Sequence, residues 1–187
     1  MGMNGSPEIK IAELDEEFEQ IHRLNYRMFV EEIPQHPPND ERRLIDKFHR
    51  ENTYLICIHE QRVIAMIALR DKRPFSLDAK LPDLEAYLPA FDSILEYRLL
   101  VVEKEYRNSR IFCAIMLEAF SLAMQYEYDL AIISGSLRQQ HLYRNLGFKP
   151  FAHRVGSEGA WFQPMYIDVA SACELKRRSR VLRRGLG

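Results

Sequence analysis

The chain has 187 residues, of which 47% are hydrophobic and 28% charged, and this length and composition suit one globular domain. Eight glycines and nine prolines exclude collagen-like and low-complexity chains, and the longest apolar runs, such as residues 63–69, are too short to span a membrane. Three cysteines without metal-ligand spacing argue against a disulfide scaffold and a zinc site, and they favour a cytoplasmic location.

The charge of the chain is unevenly distributed. Residues 175–187 contain six basic residues and no acid, so the rest of the chain, with 20 basic and 27 acidic residues, has a net charge of −7. An acidic body argues against nucleic-acid binding. We expect one domain over residues 8–169 and a basic tail over residues 170–187. The tail is interpreted as a solvated helix end or a linker to a neighbouring domain, with contact to an anionic surface as the alternative.

The first half of the chain predicts a strand, a helix and a hairpin. Residues 8–14 partly alternate polar and apolar side chains, as in a strand. Asp15 is the expected N-cap of a helix that ends before Pro34, without a capping box. The apolar face of this helix is Phe18, Ile21, Leu24 and Met28. Further elements are a short helix over residues 40–50 and a hairpin of residues 54–59 and 63–69.

The second half predicts strands and helices in alternation, after a proline-rich loop over residues 70–92 with one helical turn at 83–87. The expected elements are a central strand over residues 94–102, a long helix over 109–126, a strand over 130–133, a helix over 137–145 that Ser136 caps and Gly147 ends, and a closing hairpin of 148–155 and 161–169. This order predicts a mixed α/β (α+β) fold.

The junction of the central strand and the long helix has the geometry of an anion site. The strand ends at Val102, and the helix that follows would point its free N–H groups back towards the strand end. Arg107 and Arg110 add positive charge at this place. An ordinary strand–loop–helix connection with solvated arginines explains the same pattern, so both interpretations stay open at this point.

Two motifs in order resemble the GNAT acyltransferase superfamily. In that family a central strand ends in Val, Tyr-Arg follows, and Q/R-x-x-G-x-G/A opens a long helix; a strand, a short helix and Tyr-x-x-x-Gly-Phe come later. The matching residues are Val102, Tyr106, Arg107, Tyr143, Gly147 and Phe148. The resemblance spans roughly residues 8–169. It implies a mixed, mostly antiparallel central sheet flanked by helices, and the transfer of an acyl group from a thioester to an amine.

The GNAT resemblance also implies that acetyl-CoA or a longer acyl-CoA binds at the strand end and loop. No metal is expected, because the histidines show no metal-ligand spacing. The resemblance assigns to the donor Leu100, Val101, Val102, Arg107, Asn108, Ser109, Arg110, Ile111 and Phe112. Arg110 and Phe112 stand where the family has small residues that let the backbone approach a pyrophosphate. Phe112 either blocks that approach or turns inward, and Arg110 would compensate by pairing with phosphate.

The same resemblance implies direct attack of the amine on the thioester. Tyr143 would protonate the leaving thiolate, because a phenol with a pKa near ~10 stays protonated at neutral pH. N–H groups near residues 100–102 would hold the thioester oxygen. Glu96 is the candidate base, on the same side of the strand as Arg98 and Leu100. Solvation of Glu96 and Arg98, or pairing with charges on the next strand, is an equal alternative.

The N-terminal half resembles acyl-homoserine-lactone synthases and long-chain N-acyl amino acid synthases, which share the GNAT fold. Those chains carry an Arg before an aromatic in the first helix, an Asp-x-aromatic-Asp, and an Arg followed by a proline-containing loop. The residues here are Arg27 and Phe29, Asp46 and Phe48 with His49 in the last place, and Arg70 and Pro74. Many such enzymes take acyl groups from acyl carrier protein. Arg70 and Arg98 would bind the carboxylate of an amino-acid acceptor.

Three functions follow from these patterns. The prediction is an N-acyltransferase that uses acyl-CoA and a small-molecule amine acceptor. The first alternative is an N-acyl amino acid or homoserine-lactone type synthase fed by acyl carrier protein, which the basic tail with Arg107 and Arg110 would also attract. The second is a GNAT-like binding module of a larger protein without catalysis, which Arg110 and Phe112 favour. The acceptor, the acyl chain length and the oligomeric state have no readable code.

Overall fold

The computed structural model describes residues 6–107, 110–157 and 160–172. Its backbone contacts form two compact units. The first contains the chain up to Leu69 together with Leu99–Ala119, and the second contains Arg70–Arg98 together with the chain from Phe120 onward. The central strand and the long helix therefore contribute to both units, and so does the strand that ends at Arg70, through that last residue. The basic tail beyond residue 172 lies outside the described residues.

The first unit is built on antiparallel strands. Its elements are strand β1 (Glu8–Ile11), helix α1 (Asp15–Tyr26), the π-helical segment Arg27–Glu32, strands β2 (Thr53–His59) and β3 (Arg62–Arg70), and the second half of strand β4 (Ile94–Val102). β1 pairs with β2 and β2 with β3, both antiparallel. At the end of β4, the Glu103 N–H donates to the Ile64 carbonyl at 2.8 Å.

The short helix predicted over residues 40–50 is wrong, because this segment forms turns. Its polar side chains bond to the local backbone instead of leaving that backbone to form a helix. The Asp46 carboxylate accepts the Phe48 N–H at 3.1 Å, and Asn39 Nδ2 donates to the Arg43 carbonyl at 2.9 Å.

Helix α1 covers the strands of the first unit with the apolar face predicted for it. Two of its buried side chains, Ile21 and Leu24, share a core with β2, β3 and β4. The other buried members of that core are Ala12, Tyr54, Ile56, Val63, Met66, Ala68 and Val101. Apolar spacing of three to four residues thus sets the orientation of the helix.

The start of α1 differs from the prediction. The N-cap is Leu14 rather than Asp15. Glu17 reaches back, and its carboxylate accepts the N–H groups of Glu13 at 2.8 Å and Leu14 at 3.1 Å. Lys10 Nζ lies 2.7 Å from the same carboxylate. Glu17 therefore makes the side-chain bond of a capping box that was predicted to be absent.

The second unit combines a parallel and an antiparallel pairing. Its elements are the first half of β4, a 3₁₀ turn (Leu84–Tyr87), strand β5 (Leu130–Ser136), helix α3 (Gln140–Asn145), and strands β6 (Lys149–Pro150), β7 (Val155–Ser157) and β8 (Ala160–Asp168). β4 runs parallel to β5, and β5 is antiparallel to β8. The predicted closing hairpin is split, since β6 and β7 each pair separately with β8. Between β6 and β7, Ala152 adopts a left-handed backbone conformation, with φ 52°, which interrupts the extended chain.

The long helix α2 (Ile111–Gln125) is shorter at both ends than predicted. Its buried side chains are Ile111, Ile115, Met116, Leu117, Ala119, Phe120, Leu122 and Ala123. Tyr126, which was predicted on this face, is 57% exposed. The helix has already ended there, because Glu127 adopts φ 58° and the Tyr128 N–H donates to the Ala123 carbonyl at 2.9 Å.

The fold class predicted from the sequence is confirmed: the strands are mixed and mostly antiparallel, and helices accompany them. The bounds of the central strand are those predicted, residues 94–102. Within the described ranges, no helix has both the length and the apolar character needed to cross a membrane. The single domain over residues 8–169 stays a prediction.

Glu17→Gln should lower the free energy of unfolding by about 1.5–3 kcal/mol at neutral pH, the usual value for hydrogen bonds to a charged group. Burial raises the pKa of Glu17, but the bonds from Lys10, Glu13 and Leu14 outweigh it and the net pKa is lowered. This stabilisation is present above the pKa of an unfolded glutamate and is lost as pH falls through the lower folded pKa. Urea unfolding at pH 7 and at roughly pH 3 measures the difference.

The exposed neighbour provides the control for this prediction, since Glu16→Gln should leave the urea midpoint unchanged. A loss at Glu17 that is equal at both pH values would contradict the assigned role of its charge.

Candidate active site

Strand β4 carries five of the residues to which the sequence assigned chemistry, namely Glu96, Arg98, Leu100, Val101 and Val102. Leu99 interrupts it with a left-handed backbone, φ 51°, which is uncommon for a residue other than glycine. Glu96 and Arg98, which precede the interruption, lie on one side as predicted, with Arg98 Nε 3.4 Å from Glu96 Oε2. The strict alternation that would extend this side to Leu100 does not continue past Leu99.

Glu96 is a fully buried carboxylate, with 0% of its surface exposed. The loop that leads from β3 to β4 folds onto it. Ser76 donates from its N–H to Oε2 at 2.8 Å and from its hydroxyl to Oε1 at 2.5 Å, and the Leu77 N–H donates to Oε1 at 3.3 Å. These bonds satisfy a polar group that would be costly to bury alone.

Two opposing effects act on the proton affinity of Glu96. Burial raises its pKa, because the charged form is less well solvated inside the protein. The bonds from Ser76 and Leu77 and the charge of Arg98 lower it, and the net pKa stays above the ordinary value of a glutamate. A carboxylate with a raised pKa is a better proton acceptor than one in solution, provided that the pH is high enough to ionise it.

Arg70 lies at the end of β3 and is 1% exposed. Its Nε donates to the Pro74 carbonyl at 2.9 Å, so the guanidinium is tied to the loop that also carries Ser76. Arg98 is also largely enclosed, with 8% of its side chain exposed. The second unit thus holds three enclosed charged groups. The Arg70 guanidinium lies at the end of β3, and the Arg98 guanidinium and the Glu96 carboxylate lie on β4.

Tyr143, the predicted acid, lies on α3 and is 3% exposed. Its ring packs edge-on to Phe148 at 6.0 Å between centroids, and Phe148 contacts Tyr97 of β4 at 6.5 Å. The ring also lies against Gly135, where an added Cβ would come within 2.8 Å of Tyr143 Cδ2. Gly135 therefore leaves the space that the Tyr143 ring occupies.

The Tyr143 hydroxyl points to polar side chains at the start of α3. It donates to Gln139 Oε1 at 3.4 Å, and Ser136 Oγ lies at the same distance from that oxygen. Burial raises the pKa of Tyr143, so the phenol is protonated at neutral pH. The same burial weakens it as an acid, because the phenolate it would leave is poorly solvated. Ser136 precedes a 3₁₀ turn (Leu137–Gln139) and makes no side-chain cap.

The donor residues of the first unit lie at the end of β4 and the start of α2. Val101 and Val102 are buried, and Leu100 is half-buried. Arg107 is engaged within this unit: Nη1 and Nη2 donate to the two oxygens of Glu32 at 2.6 Å each, and Nε donates to the Val102 carbonyl at 3.0 Å. The predicted phosphate ligand is thus also a structural ion pair.

The start of α2 is where the resemblance placed the rest of the donor site. The Arg110 carbonyl accepts the first helical bond, from the Ala114 N–H at 2.9 Å, and Arg110 itself is exposed. Ile111 is buried and Phe112 is half-buried. Asn108 and Ser109, which were also assigned to the donor, lie outside the described residues.

The N-terminal motif residues are held by contacts within the first unit. Arg27 pairs with Glu103, and Phe29 packs against the core under α1. Asp46 accepts the Asn52 side chain at 2.8 Å, whereas His49, in the position where the synthases have a second Asp, lies 3.4 Å from His22. The Asp46–His49 motif therefore stabilises a turn in this chain.

Sequence reasoning missed Ser76, Gly135 and Glu32. Ser76 was assigned only to a loop, and no period or motif in residues 70–92 indicates that it reaches a residue 20 positions away. Gly135 precedes the serine that was expected to cap the next helix, which could have drawn attention to it. Among the described residues, no group of three or more His, Cys, Asp or Glu side chains could hold a metal ion.

Comparison with known proteins identifies a family. The family model of the acetyltransferase (GNAT) domain matches residues 24–117, half of the chain. No curated protein matches the sequence significantly.

The structure is similar to solved acyltransferase structures at low sequence identity. The CoA-dependent acyl-homoserine lactone synthase BjaI, with SAM and isopentyl-CoA, is 20% identical, with a TM-score of 0.72 over 86% of this chain and 81% of that chain. The AHL synthase LasI is 14% identical, with a TM-score of 0.74 over 88% and 90%. An acyl-CoA N-acyltransferase from Pseudomonas aeruginosa is 15% identical, with a TM-score of 0.62 over 86% and 99%. These likenesses confirm the predicted GNAT-like fold.

Gly135→Ala should displace the Tyr143 ring, because the new Cβ would lie 2.8 Å and 3.0 Å from two of its carbons. We expect a loss of about 1–3 kcal/mol in the free energy of unfolding, as for other overpacked cores. Thermal and urea unfolding measure it. In a Tyr143→Ala background the same substitution should cost much less, and an equal cost in both backgrounds would contradict the contact.

Proposed function

The chain belongs to the GNAT acetyltransferase family, and we propose that it transfers an acyl group from acyl-CoA to the amine of a small-molecule acceptor. The observation that carries this proposal is Glu96. It is a fully buried carboxylate with a raised pKa, held in one orientation by the loop at Ser76 and Leu77. Its neighbours on the strand, Leu95 and Tyr97, are buried at 2% and 1% exposure, so Glu96 is an acidic side chain placed inside the protein core.

Glu96 acts as the base in this proposal. The amine nitrogen must lose a proton as it bonds to the thioester carbon, and a carboxylate with a raised pKa accepts that proton. Ionisation of Glu96 is needed first, so activity should fall as the pH drops through a value above the ordinary pKa of a glutamate.

Tyr143 acts as the acid in this proposal. The enclosed phenol keeps its proton until the C–S bond breaks, and it then donates this proton to the sulfur. Its ring is fixed by Phe148 and Gly135, which limits the positions of its hydroxyl.

The donor is assigned to the end of β4 and the start of α2. N–H groups at the strand end would hold the thioester oxygen, and the N-terminus of α2, together with Arg107 and Arg110, would attract the phosphates. Acetyl-CoA and longer acyl-CoA thioesters are both candidates. We also propose a cytoplasmic location, where acyl-CoA and the free thiols of Cys57 and Cys113 are both expected.

Tyr143→Phe should lower kcat by about 10²-fold, the usual contribution of a general acid, and leave the Kd of the acyl-CoA unchanged. Calorimetric titration with acetyl-CoA and longer acyl-CoA measures binding, and thiol release with a panel of amines measures turnover. Unchanged turnover would remove Tyr143 from the reaction. A chain that binds acyl-CoA but turns over no amine would favour the binding module instead.

A second candidate function is an N-acyl amino acid or homoserine-lactone type synthase, fed by acyl carrier protein or acyl-CoA. The observation that favours it is the pair of enclosed guanidinium groups, Arg70 and Arg98, near the strand end and loop that hold Glu96. Guanidinium groups bind carboxylates through paired hydrogen bonds. An acceptor that carries both an amine and a carboxylate suits such a site.

Arg70→Lys should raise KM for an amino-acid acceptor by about 10- to 100-fold, as expected when a charged hydrogen bond is lost, while KM for the matching amino-acid amide stays the same. The lysine keeps the charge and a long side chain, which guards against loss of the fold at a buried position. Equal effects on the acid and the amide would contradict carboxylate binding. Comparison of acyl carrier protein with acyl-CoA as donor identifies the thioester.

A further inference from the structure

Glu96 and Ser76, which donates a hydrogen bond to it, differ in their access to solvent. The Glu96 carboxylate has no exposed surface, whereas Ser76, whose hydroxyl bonds to Glu96 Oε1, is half-buried. A substrate amine therefore meets Ser76 more readily than it meets the carboxylate itself.

The groups that surround Glu96 also differ in what they can do with a proton. Backbone N–H groups of Ser76 and Leu77 only donate, and so does the guanidinium of Arg98. A serine hydroxyl donates one hydrogen bond and accepts others. Among these groups, the Ser76 hydroxyl alone can receive a proton on its lone pairs while it gives its own proton to the carboxylate.

The loop fixes Ser76 against Glu96 from both sides. Phe75 and Leu77 are buried in the core of the second unit, at 1% and 0% exposure, where they pack with Leu130 and Ile132 of β5. The Asp78 carboxylate accepts the Phe75 N–H at 2.7 Å. The Ser76 N–H holds Oε2 while the hydroxyl holds Oε1. These two hydrogen bonds fix the serine side chain, so the hydroxyl hydrogen moves mainly by rotation about the Cβ–Oγ bond.

We propose that Ser76 relays the acceptor's proton to Glu96, an inference that rests on the proposed acyltransferase function. As the amine nitrogen bonds to the thioester carbon, its N–H bond breaks and the proton moves to Ser76 Oγ. The hydroxyl proton of Ser76 moves to Glu96 Oε1 in the same step. Serine ends neutral and Glu96 ends as a carboxylic acid. The lone pair of the nitrogen forms the C–N bond, and the electron pair of the broken N–H bond stays on nitrogen as its new lone pair. The π pair of the thioester carbonyl moves to oxygen and returns as the thiolate leaves and takes its proton from Tyr143.

Kinetics of matched variants test the relay. Ser76→Ala should lower kcat by about 10²-fold, within the range of general base catalysis, and Ser76→Thr, which keeps a hydroxyl, should recover most of it. The acid limb of the pH–rate profile should move to higher pH in Ser76→Ala, because the ionised carboxylate loses a donor. Ser93→Ala is the matched control, since it removes a hydroxyl that donates to the Glu127 carbonyl at 3.0 Å and does not contact Glu96.

A proton inventory in mixtures of H₂O and D₂O separates a relay from a merely structural serine. A curved dependence of kcat on the deuterium fraction in the wild type, and a linear one in Ser76→Ala, would support two protons in motion. A Ser76→Ala enzyme with wild-type kcat and pH profile would overturn the relay, as would failure of Ser76→Thr to recover activity while it remains folded.

A titration that needs no turnover distinguishes failure of the relay from failure of the proposed function. Carbon-13 spectra of the glutamate carboxyl groups, assigned with Glu96→Gln, follow the ionisation of Glu96. Ser76→Ala should raise the pKa of Glu96 further, and Ser93→Ala should not. No change in Ser76→Ala would overturn the inferred link even in an active enzyme. Lack of any acyl transfer by the wild type would overturn the proposed function, and the relay with it.

Discussion

The arrangement of the second unit depends on one constraint: a carboxylate inside an apolar strand must find hydrogen-bond donors. Glu96 finds them in the loop that precedes its own strand, and the loop can supply them because Phe75 and Leu77 anchor it in the core. An unsatisfied carboxylate at this depth would cost more than most single substitutions. The path of the loop and the charge on the strand therefore require each other.

The first unit meets a similar constraint with ion pairs. The two ends of the π-helical segment, Arg27 and Glu32, are joined to Glu103 and Arg107, which flank the short turn after β4. A phosphate that binds Arg107 would compete with the Glu32 carboxylate for the same guanidinium N–H groups. Binding of the donor at Arg107, as proposed, would therefore be energetically linked to the conformation of the π-helical segment.

Local sequence patterns predicted the helices and strands of this fold better than they predicted its tertiary contacts. The central strand is a run of nine residues rich in Ile, Leu, Val and Tyr, without glycine or proline, so its bounds, residues 94–102, could be derived from the sequence alone. Glu96 and Tyr143 were reached through spacing and motif, and both prove to be enclosed. Ser76 and Glu32 were not, because their partners lie 20 and 75 residues away, and only tertiary packing brings such pairs together. The left-handed backbone of Leu99 has no local signal either, since leucine rarely adopts it.

The turn between β2 and β3 is a place where substitutions would make the folded protein more stable. Its two-residue turn, Glu60 and Gln61, adopts φ 49° and 63°, a backbone that asparagine and glycine enter with little strain. Both side chains are exposed, and neither has a part in the chemistry assigned above. An asparagine or glycine at either position would remove part of the roughly 1–2 kcal/mol that a left-handed backbone costs other residues. Added stability at this turn would let the protein tolerate destabilising substitutions around Glu96. Such substitutions could then alter the range of acceptors while the protein stays folded.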